Sequence, residues 1–401
     1  MKRIFKSIFL LLLILLVAGS NNLANNEEDT VKSKEDTINE DKADNNNEQQ
    51  INENNNKEDM IYQKIKTLTI DEKIGQMIIS GFDGTNYSEE ISNLINQNKV
   101  GGLILFGRNI NSTEETAALI EEINNQNNSI PLFISIDEEG GSVTRLPGDG
   151  DIFPSAMSIG EQNDTQIAYD NGNRIGSKLK SIGINMNHAP VLDIFSNPNN
   201  TVIGDRSFGS NPEIVSSMSI STMRGMEDAG VIPTVKHFPG HGDTEVDSHY
   251  GLPIVYKDYE ELDSFEFIPF KEAIQNNCEV IMVSHIILNE IDDISPASLS
   301  KDVVTGILRG KMGYNQVIMT DDMAMGAITN YLSVEEASVK SIEAGCDIIL
   351  LGNAEECVDK VIDDVKEKII NNEISEERIN ESVYRILKLK EKYGIWEMED
   401  E

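Results

Sequence analysis

The stretch Val231–His249 reads VIPTVKHFPGHGDTEVDSH and carries the clearest indication of the fold. It opens with a largely apolar run of strand length, and Lys236 and His237 follow without a break. Three of the chain's five histidines lie in this stretch, together with Asp243 and Asp247. In parallel α/β folds, functional residues collect in loops just past the carboxyl ends of strands. The stretch therefore predicts a buried parallel strand followed by a functional loop.

Seven further apolar runs of this kind occur along the chain, with amphipathic segments of helical length between them. Together with Val231–Lys236, the candidate strands are Ile74–Phe82, Gly102–Phe106, Leu132–Ile136, Ile184–Leu192, Glu279–Ser284, Gln316–Thr320 and Asp347–Leu351. The candidate helices are Ser88–Asn98, Thr113–Asn127, Thr165–Ile182, Glu213–Ala229, Asp263–Asn276, Lys301–Lys311, Ser333–Ala344, Ala354–Asn371 and Ser375–Tyr393. Eight such units predict an α/β fold, a single TIM-type (β/α)8 barrel. A doubly wound open sheet is the alternative, although no Gly-rich phosphate-binding turn follows the first strand.

The chain begins with a segment that is unlike the rest. Residues 1–19 combine a basic start with a short apolar run, which is typical of an export signal or an anchor. The stretch Leu16–Ser20 is similar to the end of a bacterial lipoprotein signal, with Ser20 where such signals have cysteine. Residues 20–59 are rich in Asn, Glu and Lys and predict a disordered tether. We expect an exported protein at the cell surface or outside the cell, with the barrel over residues 60–401 and membrane contact only through the N-terminal segment.

Composition excludes several functional classes. The formal net charge of −36 repels nucleic acid, so we expect no nucleic-acid partner. The three cysteines are odd in number and fit no zinc spacing, which predicts no required disulfide and no metal. Cys278 and Cys346 adjoin strand-like runs and are predicted to be small buried residues. We also expect no cofactor and a monomer.

Polar side chains follow most of the predicted strands, where one barrel face should collect them. They include Asp137 after the third strand, Lys236 and His237 at the fifth, His285 at the sixth and Asp321 at the seventh. Such a ring suits a small carbohydrate, because each hydroxyl needs a donor or an acceptor inside a dry pocket.

The chemistry of these residues points to a covalent mechanism without a serine or a metal. The chain has no Gly-x-Ser-x-Gly elbow and no His/Cys constellation with metal spacing. A carboxylate at the end of strand seven, Asp321 or Asp322, and a histidine after strand five remain. A carboxylate nucleophile with a separate acid/base is the chemistry of retaining glycoside hydrolysis. A histidine acid/base is unusual there and needs a partner, for which Asp247 lies two residues before His249.

The residues Lys236–Gly242 (KHFPGHG), followed by Asp247-Ser248-His249, resemble the β-N-acetylglucosaminidase branch of glycoside hydrolase family 3. The resemblance covers most of the chain after the tether and extends to Gly101–Phe106, Asp137–Arg145, Arg206–Gly209 and Thr320-Asp321. It implies a retaining exo-β-N-acetylglucosaminidase that forms a covalent glycosyl-enzyme. Its substrates would be terminal β-linked GlcNAc in cell-wall (peptidoglycan) fragments or chitooligosaccharides.

The resemblance also implies a role for individual residues. Asp321 resembles the nucleophile, His249 the acid/base and Asp247 its partner. The residues that resemble the sugar-gripping set are Asp137, Arg145, Arg206, Lys236 and His237. The chain departs from the family pattern at Glu138, where Gln is usual, and at Ser142, where Arg is usual. We further expect Lys236 or an arginine to lower the pKa of Asp321.

Three other functions remain open at this point. A phosphorylase of the same fold would suit a histidine acid/base, which tolerates a phosphate acceptor better than a carboxylate does. An inactive surface sugar-binding protein belongs to a different class. A hexosaminidase with substrate-assisted catalysis would use paired carboxylates, which Asp137, Glu138 and Glu139 superficially offer.

Overall fold

The structure is a computed structural model and describes residues 56–126, 129–148, 152–244, 247–248, 251–352 and 357–397. The predicted export signal at 1–19 and most of the predicted tether at 20–59 lie outside these residues and stay predictions. Within the described ranges, no helix is both long and apolar enough to cross a membrane.

Eight short strands close into a barrel. Each strand pairs in parallel with the next one along the chain, and the last pairs with the first. The strands are β1 (Ile78–Ser80), β2 (Gly102–Leu105), β3 (Phe133–Ile136), β4 (Met186–Asn187), β5 (Ile232–Phe238), β6 (Val280–Val283), β7 (Val317–Asp322) and β8 (Ile348–Leu351). The TIM-type (β/α)8 prediction is therefore confirmed, and the open doubly wound sheet is excluded.

Helices connect the strands and surround the barrel. The α-helices are residues 56–67, Ile70–Gln76, Glu89–Asn96, Thr113–Asn124, Ala156–Gly160, Thr165–Ser181, Pro212–Asp228, Tyr259–Asp263, Ile268–Gln275, Gly326–Thr329, Val334–Ala344, Val358–Ile370 and Glu376–Lys392. A π-helix spans Asp302–Lys311, and short 3-10 helices span Gly107–Asn109, Gly204–Arg206 and Ala297–Leu299. Two further strands, Ile254–Val255 and Ile287–Leu288, pair in parallel outside the barrel. Most of the longer helices begin where a Ser, Asp or Asn side chain accepts a hydrogen bond from a first-turn amide, which explains why their starts were predictable.

Three predicted elements have the wrong extent. The fourth predicted strand, Ile184–Leu192, is much longer than β4 (Met186–Asn187), because Pro190 has no amide hydrogen with which to extend the ladder. The first predicted strand, Ile74–Phe82, begins too early because Thr69 and Glu72 form a capping box that starts the helix Ile70–Gln76. The predicted helix Asp263–Asn276 is interrupted, and its second part begins again near Pro269, which fits the first turn of a helix.

The barrel interior is a packed apolar core. Every residue of β2, β3, β6 and β8 is buried, as expected for parallel strands covered by helices on the outside. Gly102 shows how close the strands pack, because a Cβ at this position would lie 2.7 Å from the Phe133 carbonyl oxygen. Cys278 and Cys346 are buried, as predicted. Because apolar side chains fill the core, the charged side chains of the site stand at the strand ends and in the loops beyond them.

Candidate active site

A buried ion triad forms the centre of the site. Lys236, in β5 and only 2% exposed, donates from Nζ to Asp137 Oδ1 at 2.6 Å and pairs with Glu139 Oε1 at 2.7 Å. Burial alone would lower the pKa of Lys236, but the two carboxylates reverse this and raise it. Burial likewise opposes ionisation of Glu139, and Lys236 with Arg206 outweighs it and lowers its pKa to about 2. All three groups are therefore charged at neutral pH.

A second set of contacts connects Arg206 to this triad. Its guanidinium makes two 2.8 Å hydrogen bonds to Glu139, and Nη2 lies 3.2 Å from His237 Nε2. On the other side of the ring, His237 Nδ1 lies 2.6 Å from Asp193 Oδ2. Asp193 thereby orients the imidazole and directs Nε2 toward Arg206. The structure thus brings four of the five predicted sugar-gripping residues into one connected network.

Arg145, the fifth predicted residue, lies at the edge of this network. Its positive charge contributes to lowering the pKa of Asp137, a carboxyl that burial alone would shift upward and that Lys236 shifts downward more strongly. The loop that carries Arg145 is shaped by Glu138, which is fully buried. Glu138 accepts hydrogen bonds from the Thr144 hydroxyl and from the Arg145 and Leu146 amides. The departure from the family pattern at Glu138 therefore falls on a loop-shaping residue.

Asp193 was not predicted as a site residue, and Glu139 was named only as one of the carboxylates of the substrate-assisted alternative. Asp193 is fully buried, and its Oδ1 also accepts a 2.6 Å hydrogen bond from the His241 amide. Glu139 lies in the segment Asp137–Arg145 after the third predicted strand, and Asp193 directly follows the fourth predicted strand, Ile184–Leu192. Their partners could not be read from the sequence, because they come from other strands of the barrel.

The structure distinguishes the two adjacent carboxylates at the end of β7. Asp322 Oδ1 accepts hydrogen bonds from the amides of Ala324 at 2.9 Å and Gly352 at 2.8 Å, which gives it a structural role. Among the described residues, Asp321 accepts one hydrogen bond, a 2.8 Å contact from the neighbouring Asp322 amide. Asp321 is thus the carboxylate with spare acceptor capacity.

The pKa of Asp321 is lowered. Burial favours the neutral acid and would raise this pKa. The charges of His237 and His285, the Asp322 amide and, to a smaller extent, Lys236 outweigh burial. The expectation of a lowered pKa agrees with the structure, but the two histidines precede Lys236 as its cause.

The ring of His241 anchors the loop after β5. Its Nδ1 lies 2.7 Å from the Thr244 hydroxyl, and its Nε2 lies 3.1 Å from the Ser248 hydroxyl. The Ser248 carbonyl also accepts a hydrogen bond from the Ala327 amide at 3.0 Å. Asp247 lies in this loop, and its carbonyl accepts from Gly251. His249 lies outside the described residues, so the Asp247–His249 pair stays a prediction.

No group of three or more His, Cys, Asp or Glu residues within the described part of the chain is arranged to hold a metal ion. The barrel mouth combines ion-paired donors and acceptors with Asp321, a carboxylate that has no ion-pair partner among the described residues.

Residues 69–389 match the family model described as "Glycosyl hydrolase family 3 N terminal domain". The chain belongs to glycosyl hydrolase family 3. Among its relatives, Beta-hexosaminidase A of Pseudoalteromonas piscicida is 35% identical over 77% of this chain. Beta-hexosaminidase LpqI of Mycobacterium tuberculosis is 32% identical over 80% of this chain and 82% of the relative.

A solved structure shows the same family relationship in three dimensions. The family 3 β-N-acetylglucosaminidase of Paenibacillus sp. str. FPU-7 superposes with a TM-score of 0.80 and 42% sequence identity over 82% of this chain. This chain spans 63% of that protein and 56% of the Pseudoalteromonas relative. The shared part includes the barrel that carries the site described above.

Proposed function

We propose that this chain is a retaining exo-β-N-acetylglucosaminidase that removes terminal β-linked GlcNAc. Asp321 carries the proposal, because among the described residues it is the barrel-mouth carboxylate that has a lowered pKa and no ion-pair partner. The names of the family 3 relatives, β-hexosaminidase and β-N-acetylglucosaminidase, support the class of substrate.

The reaction proceeds in two steps. Asp321 attacks the anomeric carbon, and His249, held by Asp247, gives its proton to the departing oxygen. In the second step a water molecule loses a proton to His249 and displaces Asp321 from the anomeric carbon. The free sugar leaves, and both residues return to their starting protonation states.

The charged network supplies the grip on the sugar. Lys236 and Arg206 present donors, while Asp137 and Glu139 present acceptors, and their mutual contacts fix the positions of all four. A polyhydroxy ring is recognised well by such a prearranged set, because little reorganisation is needed when it binds.

The proposed substrates are cell-wall fragments in which GlcNAc precedes N-acetylmuramic acid, or chitooligosaccharides. The sequence of residues 1–19 and 20–59 supports export and a tether, which would place the enzyme next to cell-wall material outside the membrane. We propose that it acts there as a monomer. Product analysis with defined muropeptides and chitooligosaccharides separates the two substrate classes.

The covalent step is tested with 4-nitrophenyl β-N-acetylglucosaminide and a 5-fluoro-GlcNAc glycosyl fluoride. We expect hydrolysis of the first compound, and from the second a trapped adduct on the peptide that contains Asp321. Asp321→Asn should lose the adduct, whereas the matched control Asp322→Asn should retain it. Hydrolysis with no adduct on Asp321 would contradict the covalent mechanism and favour substrate-assisted catalysis.

Parallel reactions with and without inorganic phosphate test the nature of the acceptor. We expect free GlcNAc at the same rate in both buffers. GlcNAc 1-phosphate as the main product would identify a phosphorylase instead. Tight binding of GlcNAc without any turnover would identify a sugar-binding protein.

A further inference from the structure

His188 is a histidine that the proposed mechanism does not use. It directly follows β4, and its amide donates a 2.8 Å hydrogen bond to the carbonyl of Ile136, the residue before Asp137. On the other side, the carbonyl of Ala189 accepts a hydrogen bond from Thr234 of β5. The backbone of His188 is therefore held between the strands that carry Asp137 and Lys236.

The imidazole of His188 points into the barrel mouth. The charges that act on it belong to Asp137, Lys236 and Asp321, which stand on β3, β5 and β7. Because β7 does not adjoin β4, a ring that senses Asp321 must face the barrel interior rather than the surrounding helices. His188 thus lies between the predicted sugar-gripping carboxylate and the predicted nucleophile.

Neither ring nitrogen of His188 has a hydrogen-bond partner among the described residues, and the side chain is 0% exposed. Buried polar groups in folded proteins are almost always hydrogen-bonded, and an unsatisfied one destabilises the fold. The neighbouring site residues Lys236, Arg206 and His237 all have partners. The two unsatisfied ring nitrogens at this position are therefore best explained by a ligand that forms hydrogen bonds with them when it binds.

The chemistry of the ring indicates the nature of that partner. Burial lowers the pKa of His188 to about 4, although the negative charge of Asp137 acts to raise it. A neutral imidazole has one N–H donor and one acceptor nitrogen, which match a hydroxyl or an acetamido group. A charged ligand group would fit less well, because the nearby charges of Asp137, Glu139 and Lys236 are already paired with one another.

We propose that His188 is a specificity-determining residue that hydrogen-bonds one uncharged substituent of the terminal sugar, between Asp137 and Asp321. The inference rests on the proposed function, because that substituent belongs to the GlcNAc bound in the site. When no sugar is bound, His188 destabilises the fold, because its ring nitrogens are then buried without a protein partner.

The test combines variants of the protein with variants of the sugar. His188→Phe removes both nitrogens, and His188→Gln keeps one donor and one acceptor. Hydrolysis rates are measured on aryl β-N-acetylglucosaminide and on its 3-deoxy, 4-deoxy, 6-deoxy and N-trifluoroacetyl analogues. His188→Leu replaces His188→Phe if the larger ring prevents folding.

We expect His188→Phe to lose about tenfold in kcat/KM on the parent glycoside, and His188→Gln to recover most of it. On the one analogue in which the contacted hydroxyl is removed, or the contacted acetamido carbonyl is weakened as an acceptor by fluorine, wild type and His188→Phe should agree more closely than on the parent glycoside, within about twofold for a removed hydroxyl. The melting temperature of His188→Phe should equal or exceed that of wild type, because a buried unsatisfied group is removed.

An equal loss on all analogues, accompanied by a lower melting temperature, would overturn the proposal. His188 would then be structural, for example through a water molecule shared with the unpartnered Thr234 hydroxyl. An unchanged kcat/KM on every substrate would overturn it as well. If wild type itself hydrolyses no GlcNAc glycoside, the proposed function fails, and calorimetric titration of GlcNAc into wild type and His188→Phe still tests His188: equal affinities would reject it.

Discussion

Two networks of buried charge occupy opposite ends of the barrel, and they differ in completeness. Asp347 stands directly before β8, at the amino end of that strand, and is 0% exposed. Its carboxylate pairs with Arg309 and Arg385, and it also accepts hydrogen bonds from the Ser382 hydroxyl and the Ile318 amide. Burial would raise its pKa, and Arg309 above all outweighs burial and lowers it.

We call the network around Asp347 closed, because its charges are paired within the protein. The network at the carboxyl ends of the strands is open, because some of its polar groups have unused hydrogen-bonding capacity. Lys236, Asp137 and Glu139 compensate one another, but Asp321 retains spare acceptor capacity and His188 has no partner for either ring nitrogen among the described residues. Both networks obey the same rule, that buried charge needs a partner. The closed network uses protein partners and supports the fold, whereas the open one reserves positions for a ligand.

The difference between the two networks is tested most strongly by the same Asp→Asn substitution in each, at Asp321 and at Asp347. Asp321→Asn should reduce kcat at least ~10³-fold, because the nucleophile is lost, while the free energy of unfolding should not decrease. Hydrolysis of an aryl β-N-acetylglucosaminide and urea unfolding measure the two quantities. Asp322→Asn retains an acceptor oxygen for Ala324 and Gly352 and should lose less than ~10-fold. The opposite ranking of these variants would assign the nucleophile to Asp322.

Asp347→Asn should show the reverse behaviour. Removing this charge leaves Arg309 and Arg385 without their buried partner, which should reduce the free energy of unfolding by about 3–5 kcal/mol. The kcat/KM of the folded fraction should stay near that of wild type. Glu336→Gln is the matched control, because its 3.7 Å pair with Lys340 is exposed, and it should change stability by less than ~0.5 kcal/mol. Wild-type stability of Asp347→Asn would show that the closed network is not required.

The open network should also make the protein sensitive to acid, with a smaller effect. Burial lowers the pKa values of His188 and His241 from 6.5 to about 4, so the unfolded chain binds more protons between these values. His188 is acted on by Asp137, Lys236 and Asp321, and His241 chiefly by Asp193 and His237.

The contribution of the two histidines is therefore complete above about pH 6.5, and roughly 3 kcal/mol of stability per histidine should be lost as the pH drops to 4. Glu139, with its pKa lowered from 4.5 to about 2, extends the loss to lower pH. Urea unfolding at a series of pH values measures this slope, and His188→Phe should flatten it between pH 6.5 and 4. Stability that is constant or rises across this interval in the wild type would contradict the assignment.

The fold was readable from the sequence because its signals are local. Each parallel strand is a short apolar run, and the helix starts carry caps such as Ser112, Asp164 and Asn211. The errors have local causes as well, namely the capping box at Thr69 and the prolines at 190 and 269. The count of eight strands then follows directly from the order of the runs.

The site could be predicted only in part. Asp137, Lys236 and Asp321 were expected to meet because parallel strands bring their carboxyl ends to one edge of the barrel. Their exact partners were not predictable, since the contact between Lys236 and Asp137 joins residues 99 positions apart. The choice of Asp321 over Asp322 depended on the family resemblance, and the amides of Ala324 and Gly352 supply its physical reason.

The order of strands and helices, the barrel face on which titratable groups collect and the types of residue found there all follow from the sequence alone. Periodicity, helix caps and strand ends depend on neighbouring residues, so local sequence patterns are enough to predict them. Three features emerge only in the folded barrel: Glu139 shares Lys236 with Asp137, Asp193 holds His237, and the ring of His188 has no partner among the described residues. These outcomes depend on which side chains from separate strands reach the same point in the closed barrel, and no local pattern specifies that.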